Sequence, residues 1–243
     1  MRLLCVTAHP DDEAGGFGGT LQHYAARGVE THVLCLTAGT AATNRGGAKD
    51  AAELAAMRRR EFAESCRMLG VTRGEVLDYP DGGLERLNFL EAVADLTRRV
   101  REICPEVMMT IGGEGAVTAH PDHTMVSLFT TAAYHWAGRS NRFVEQLQGA
   151  EPHRAQKLYY ATALFTLRER QPVALAPVTC EIQITRQQFE TKVAAFKAHT
   201  SQSPLFPIFE NAVRQRGLSE VFHLAAAVNP RKMERETDLF AGI

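Results

Sequence analysis

A chain of 243 residues with 45% hydrophobic content has enough apolar material for one large α/β core. Its 27 basic and 28 acidic residues leave a net charge of −1, so no field of one sign draws it to nucleic acid or an anionic membrane, and a small-molecule partner is expected. The first residues carry no signal-type apolar run and no stretch approaches the ~20 apolar residues of a membrane span, so a cytoplasmic location is expected.

Residues 2–8 form a near-continuous apolar run, the pattern of a central parallel strand buried on both faces. The corner His9-Pro10-Asp11-Asp12-Glu13 follows, and Gly15-Gly16-Phe17-Gly18-Gly19 is expected to let the backbone turn tightly beside it. A helix is predicted over 20–27, stopped by Gly28, and a second strand over 31–37. The β-α-β order implies a parallel pair with a right-handed crossover.

Residues 40–49 read as a mobile loop at the same edge. Asp50 caps a predicted helix that runs to Leu69 and stops at Gly70. A short strand over 75–79, a helix over 87–103 and a strand over 106–111 come next. The loop 112–119 then delivers a second corner, His120-Pro121-Asp122-His123, at the head of a helix ending near Ala137. This alternation specifies an α/β fold with a doubly wound, mostly parallel, Rossmann-like sheet, helices on both faces and ligands at the carboxyl ends of the strands.

Beyond residue 138 the pattern predicts strands over 158–164, 178–184 and 221–228 and helices over 186–199 and 206–216, with a tail from Glu234 that frays or covers a neighbour. No linker or repeat interrupts the chain, so residues 1–243 are read as one domain. Residues 1–137 carry the site, and 138–243 complete the sheet and one pocket wall. The five cysteines form no C-x-x-C pair, and Cys5 and Cys35 lie in predicted strands as ordinary core.

The two corners hold His9, Asp11, Asp12, Glu13, His120, Asp122 and His123. Imidazoles and carboxylates without sulfur suit zinc or another divalent first-row metal, and the surplus groups can serve as base and oxyanion donor in a hydrolysis. Spacing alone leaves open which residue does which. Either corner by itself could be no more than a helix cap; two matching corners at one sheet edge argue against that. The glycine run fails the dinucleotide fingerprint at its last position.

Ala8-His9-Pro10-Asp11-Asp12-Glu13 with the downstream His120-Pro121-Asp122-His123 resembles the LmbE-like, or PIG-L-like, zinc-dependent N-deacetylases. Arg58-x-x-Glu61 before Leu69-Gly70, Tyr79-Pro80-Asp81-Gly82, and Lys192-x-x-Ala195-x-x-x-His199-x-Ser201-Gln202 extend the resemblance over most of the chain. It implies Zn2+ held by His9, Asp12 and His123, with Asp11 as the general base toward water. His120 would stabilise the oxyanion or protonate the departing amine, and Arg58, Asp81 and His199 would contact substrate. Glu13 is expected to support the turn from behind the ligands. Some members place a tyrosine two residues before the second motif, where this chain has Thr118.

The activity implied is removal of acetyl from an N-acetyl amino sugar or its conjugate, by a protein capable of forming a homo-oligomer. Two alternatives are a phosphoester or other hydrolase using the same metal, and a sugar- or nucleotide-binding module without turnover.

Overall fold

In the computed structural model, which describes residues 1–115, 119–149, 151–162, 174–229 and 235–243, the central strand β1 (Arg2–Thr7) is covered on both faces, as its apolar run predicts. Around it the chain lays down α1 (Asp12–Ala25), β2 (Glu30–Thr37), α2 (Ala51–Leu69), β3 (Arg73–Tyr79), α3 (Phe89–Ile103), β4 (Val107–Ile111) and α4 (Pro121–Ala137). The second part adds β5 (Lys157–Ala161), β6 (Cys180–Gln183), α5 (Arg186–Lys197), α6 (Phe206–Arg216) and β7 (Ser219–Ala227).

The described strands form one sheet in the order β3-β2-β1-β4-β5-β7-β6. β1 pairs in parallel with β2 and β4, and β5 extends the parallel set; β7 runs antiparallel to both β5 and β6. The sheet is therefore mostly parallel, and the expected fold class holds. Side chains alternate between two cores. Leu3 and Cys5 face a cluster with Phe17, Leu21, Phe62 and Phe196, whereas Leu4 and Val6 face Val93, Leu96 and Phe129. Helices α1, α2, α5 and α6 thus cover one face, and α3 and α4 the other.

Strand order reverses between β1 and β4, so a crevice opens at their carboxyl ends. Both histidine corners lie there. The Asp50 cap, which accepts from the Glu53 amide, and the left-handed Gly70 stop of α2 also match expectation.

One helix differs. α1 begins at Asp12 rather than Thr20, so the glycine run is helical instead of a turn. The reason is packing: a Cβ on Gly19 would lie 2.7 Å from Ile184 Cδ1 and 2.9 Å from Glu220 Oε1. With no side chain in the way, the Glu220 carboxylate reaches the amides of Gly19 (2.9 Å) and Thr20 (2.8 Å) while pairing with Lys192 Nζ at 2.5 Å.

The tail also departs from expectation. Over 235–243, Leu239 and Phe240 are buried, Glu236 pairs with Lys157 and accepts from the Tyr159 hydroxyl, and Tyr24 donates to Asp238 at 2.7 Å. No helix among the described residues is long and apolar enough to cross a membrane.

Candidate metal centre

The two corners share a sequence pattern but fold differently. At the second, His120 is the N-cap of α4, its Nδ1 accepting from the Asp122 amide at 3.2 Å, and Pro121 takes the first helical position. At the first, Pro10 lies outside the helix and Asp11 is the N-cap, with φ 122° and ψ −25°. Non-glycine residues avoid this region, at a cost of about 1–3 kcal/mol, and hold it only where neighbours enforce it.

Three donors converge. The ring nitrogens His9 Nδ1 and His123 Nε2 face each other at 3.2 Å, and Asp12 Oδ1 lies 3.3 Å from His123 Nε2. The far nitrogens fix the tautomers. His9 Nε2 sits 3.0 Å from Asp81 Oδ1 and 3.4 Å from Asp122 Oδ2, and His123 Nδ1 is 3.3 Å from the Gly115 carbonyl. With a proton on each far nitrogen, both facing nitrogens present lone pairs to the same point. Asp12 Oδ2 is used by the amides of Ala8 (3.1 Å) and His9 (2.9 Å), which leaves Oδ1 for that point.

In that tautomer, two imidazole lone pairs and a carboxylate oxygen fit a divalent first-row cation. His9, His120 and Asp122 also lie close enough to share an ion. However, Asp122 is sealed and spends its oxygens on the amides of Gly82 (2.6 Å) and Leu84 (3.1 Å), so it orients His9 instead.

The electrostatics agree with a cation site. Burial works against a charged His9, yet hydrogen bonds to Asp122 and Asp81 and the Asp12 charge outweigh it and push its pKa up to about 10. Burial likewise works against the Asp12 anion, but His123 and His9 hold its carboxyl well below the usual carboxylate range. The anionic surroundings that favour a proton on His9 are those a metal cation would neutralise.

Asp11 is set apart from the donors. Burial raises its pKa to about 6, against the pull of the Arg58 charge, which places it close to neutrality as a proton acceptor. Arg58 Nη2 lies 2.9 Å from Asp11 Oδ2 and also donates to the Pro10 carbonyl, while Nη1 reaches the Gly39 carbonyl at 2.9 Å. Gly39 has φ 66°, and a Cβ there would collide with that guanidinium, so glycine is required. For His120, burial and the charges of His9 and His123 lower the pKa. These favour the neutral ring, and because Nδ1 accepts from the Asp122 amide, the proton of the neutral form sits on Nε2 as a hydrogen-bond donor.

These groups open onto a cleft of about 500 Å³. Thr43, Asn44, Asp81 and Gln202 give it polar lining, and Phe17, Ile111, Ala161, Phe196 and Leu205 give it apolar lining. The structure brings His9, Asp11, Asp12, His120 and His123 together. Asp81 and Arg58 border the cleft, the Asp81 oxygens engaged by His9 and the Ala41 amide and the Arg58 Nη atoms by Asp11 and two carbonyls. His199 does not reach the cleft: it is fully buried, with Nε2 2.7 Å from Glu13 Oε1. His199, expected at the substrate, makes an internal pair with Glu13 in this structure. Thr118 lies outside the described residues.

Sequence reasoning named Asp122 and Glu61 without a role and gave none to Ser65. Ser65 Oγ donates to Glu13 Oε1 at 2.6 Å, and Glu61 accepts from Thr200 Oγ1, the Ser201 amide and Ser201 Oγ at 2.6–2.7 Å. The available signal was Arg58, Glu61 and Ser65 at helical spacing among the apolar positions of α2.

Comparison with known proteins gives a consistent result. The family pattern described as PIG-L, GlcNAc-PI de-N-acetylase, matches residues 4–134, more than half of the chain. A 1D-myo-inositol 2-acetamido-2-deoxy-alpha-D-glucopyranoside deacetylase of Rhodococcus jostii is 31% identical, over 100% of this chain and 98% of its own. A protein of the same description (deacetylase 2) from Catenulispora acidiphila is 28% identical, over 99% of this chain and 97% of its own. Among solved structures, N,N'-diacetylchitobiose deacetylase from Pyrococcus horikoshii superposes with a TM-score of 0.74 at 26% identity, covering 92% of this chain and 83% of that one.

Proposed function

Since the chain belongs to the PIG-L family of GlcNAc-PI de-N-acetylases, we propose that it is a zinc-dependent hydrolase that removes the N-acetyl group from an amino-sugar conjugate. The observation that carries this reading is the convergence of His9 Nδ1, Asp12 Oδ1 and His123 Nε2 at one point of a cleft that Asp11 also lines. When bound there, a divalent cation supplies Lewis acidity, which lowers the pKa of water toward about 7 and polarises a carbonyl.

The side chains around that point divide the remaining work. Asp11 takes a proton from the water that attacks the acetamide carbon, and Arg58 keeps its carboxylate aimed. His120, neutral and carrying its proton on Nε2, donates a hydrogen bond to the oxyanion of the tetrahedral intermediate. Collapse breaks the C–N bond, the proton held by Asp11 passes to the departing nitrogen, and acetate and a free amine remain. Asp81 and Asp122 hold His9 in the required tautomer. Thr43, Asn44 and Gln202 are the polar groups available to sugar hydroxyls.

The test is acetate release from N-acetylglucosaminyl-inositol and other N-acetylglucosamine conjugates, alongside metal analysis. Asp11→Asn is expected to lower kcat by about 10²–10⁴-fold while metal content stays at one per chain. Turnover near wild type with that metal content would refute the assignment of the base.

A further inference from the structure

Arg58 aims the Asp11 carboxylate from the cleft wall, but the Asp11 backbone is held by residues that never touch the cleft. Asp11 holds a backbone conformation unfavourable to any L side chain, so something must keep it there. Its carbonyl accepts from the Gly15 amide at 2.8 Å, an ordinary bond of the first helical turn. Its amide is the unusual one: it donates to Glu13 Oε2 at 3.0 Å, so a carboxylate two residues ahead reaches back across the cap. This is capping-box logic applied one residue early in the helix.

Glu13 is itself fixed from the other side. Its second oxygen takes Ser65 Oγ from α2 at 2.6 Å and His199 Nε2, just beyond α5, at 2.7 Å. Glu13 and His199 are both fully buried, and neither lines the cleft. The metal donors are held separately, Asp12 by the Ala8 and His9 amides, and His9 by Asp81 and Asp122. The chain His199–Glu13–Asp11 is therefore directed at the base alone.

We propose that His199 and Glu13 are positioning residues that hold Asp11 in its strained, reactive conformation, so that their contribution to turnover passes entirely through Asp11. This rests on the reading of Asp11 as the general base. Without the His199 contact, the Glu13 carboxylate can turn away, the Asp11 amide loses its acceptor, and the residue relaxes to negative φ with its carboxylate displaced from the attacking water. Displacements of this kind typically cost about 10²-fold in rate.

A double-mutant cycle on the metal-loaded enzyme tests this, with N-acetylglucosaminyl-inositol, or whichever N-acetylglucosamine conjugate releases acetate, as substrate. His199→Leu, which removes the donor to Glu13, is expected to lower kcat about 10- to 100-fold with KM within about threefold and metal stoichiometry unchanged. In the Asp11→Asn background the same change is expected to leave the residual kcat unaltered, because the group through which it acts is gone. Multiplicative losses in the double mutant would overturn the proposal, as would loss of metal in His199→Leu. Should His199→Leu fail to fold, Ser65→Ala, which removes one hydroxyl from the same Glu13 oxygen, decides the matter by the same cycle. An Asp11→Asn enzyme with wild-type turnover would instead refute the base itself, a separate outcome.

Discussion

Two carboxylates flank the far edge of one imidazole: Asp81, from the turn after β3, and Asp122, from the first turn of α4, both face His9 Nε2. Such partners set ring orientation and ligand basicity, and their removal typically costs 10–100-fold in metal affinity. Asp81→Asn is expected to weaken zinc binding by about that factor in a chelator competition, since an amide cannot take the His9 proton as a charged acceptor. Unchanged affinity would show that Asp122 alone suffices. Asp11 governs a different observable. As the proposed base it would act as the carboxylate, and burial has raised its pKa to about 6. As pH falls through that value the base is protonated, so kcat/KM should decline about tenfold per pH unit below it. A bound cation favours the anion and moves this limb to lower pH, so the limb lies at or below about 6. A profile rising as pH falls would contradict the role.

Helix α1 and its glycines show what an element can hide. Gly-x-Gly spacing reads as a loop because glycine disfavours helix by roughly 1 kcal/mol per residue. Here tertiary contacts override that preference, since α5 and Glu220 approach too closely for a side chain. Gly19→Ala is expected to lower stability by about 1–3 kcal/mol, because Glu220 is pinned between Lys192 and two amides and cannot move aside. Gly16→Ala, whose Cβ meets nothing within 4 Å, should stabilise by about 0.5–1 kcal/mol while narrowing the cleft. Thermal or denaturant melts of the two variants should move in opposite directions. Helix α2 was easier to place, since Asp50 and Gly70 mark its ends by local chemistry. Its polar residues were harder: Ser65 and Glu61 gain meaning only from partners at Glu13 and at residues 200–201, remote in sequence.

At the scale of the molecule, the parallel core was legible because buried strands write continuous apolar runs, and the two corners because imidazoles and carboxylates cluster there at short spacing. The antiparallel end was not. β5, β7 and β6 are ordered by long-range pairing, and nothing local to 178–184 or 221–228 fixes strand direction. The docked tail was equally hidden, since Glu236 finds its partners at Lys157 and Tyr159 only once the sheet exists. The pairing of β1 with β4 has a consequence for the thermodynamics of the whole chain. It brings together His9 and His123, 114 positions apart, which an unfolded chain has no means of holding on one ion. A cation that binds only the native state stabilises it by mass action, about 2.7 kcal/mol when free metal stands at 100 times Kd. The melting temperature should therefore climb with zinc concentration, fall on chelation, and lose that dependence in His123→Ala; a wild-type melt indifferent to chelator would contradict it. Folding and metal supply would then be one equilibrium, so on the proposed reading withholding the cation would cost the protein stability as well as activity.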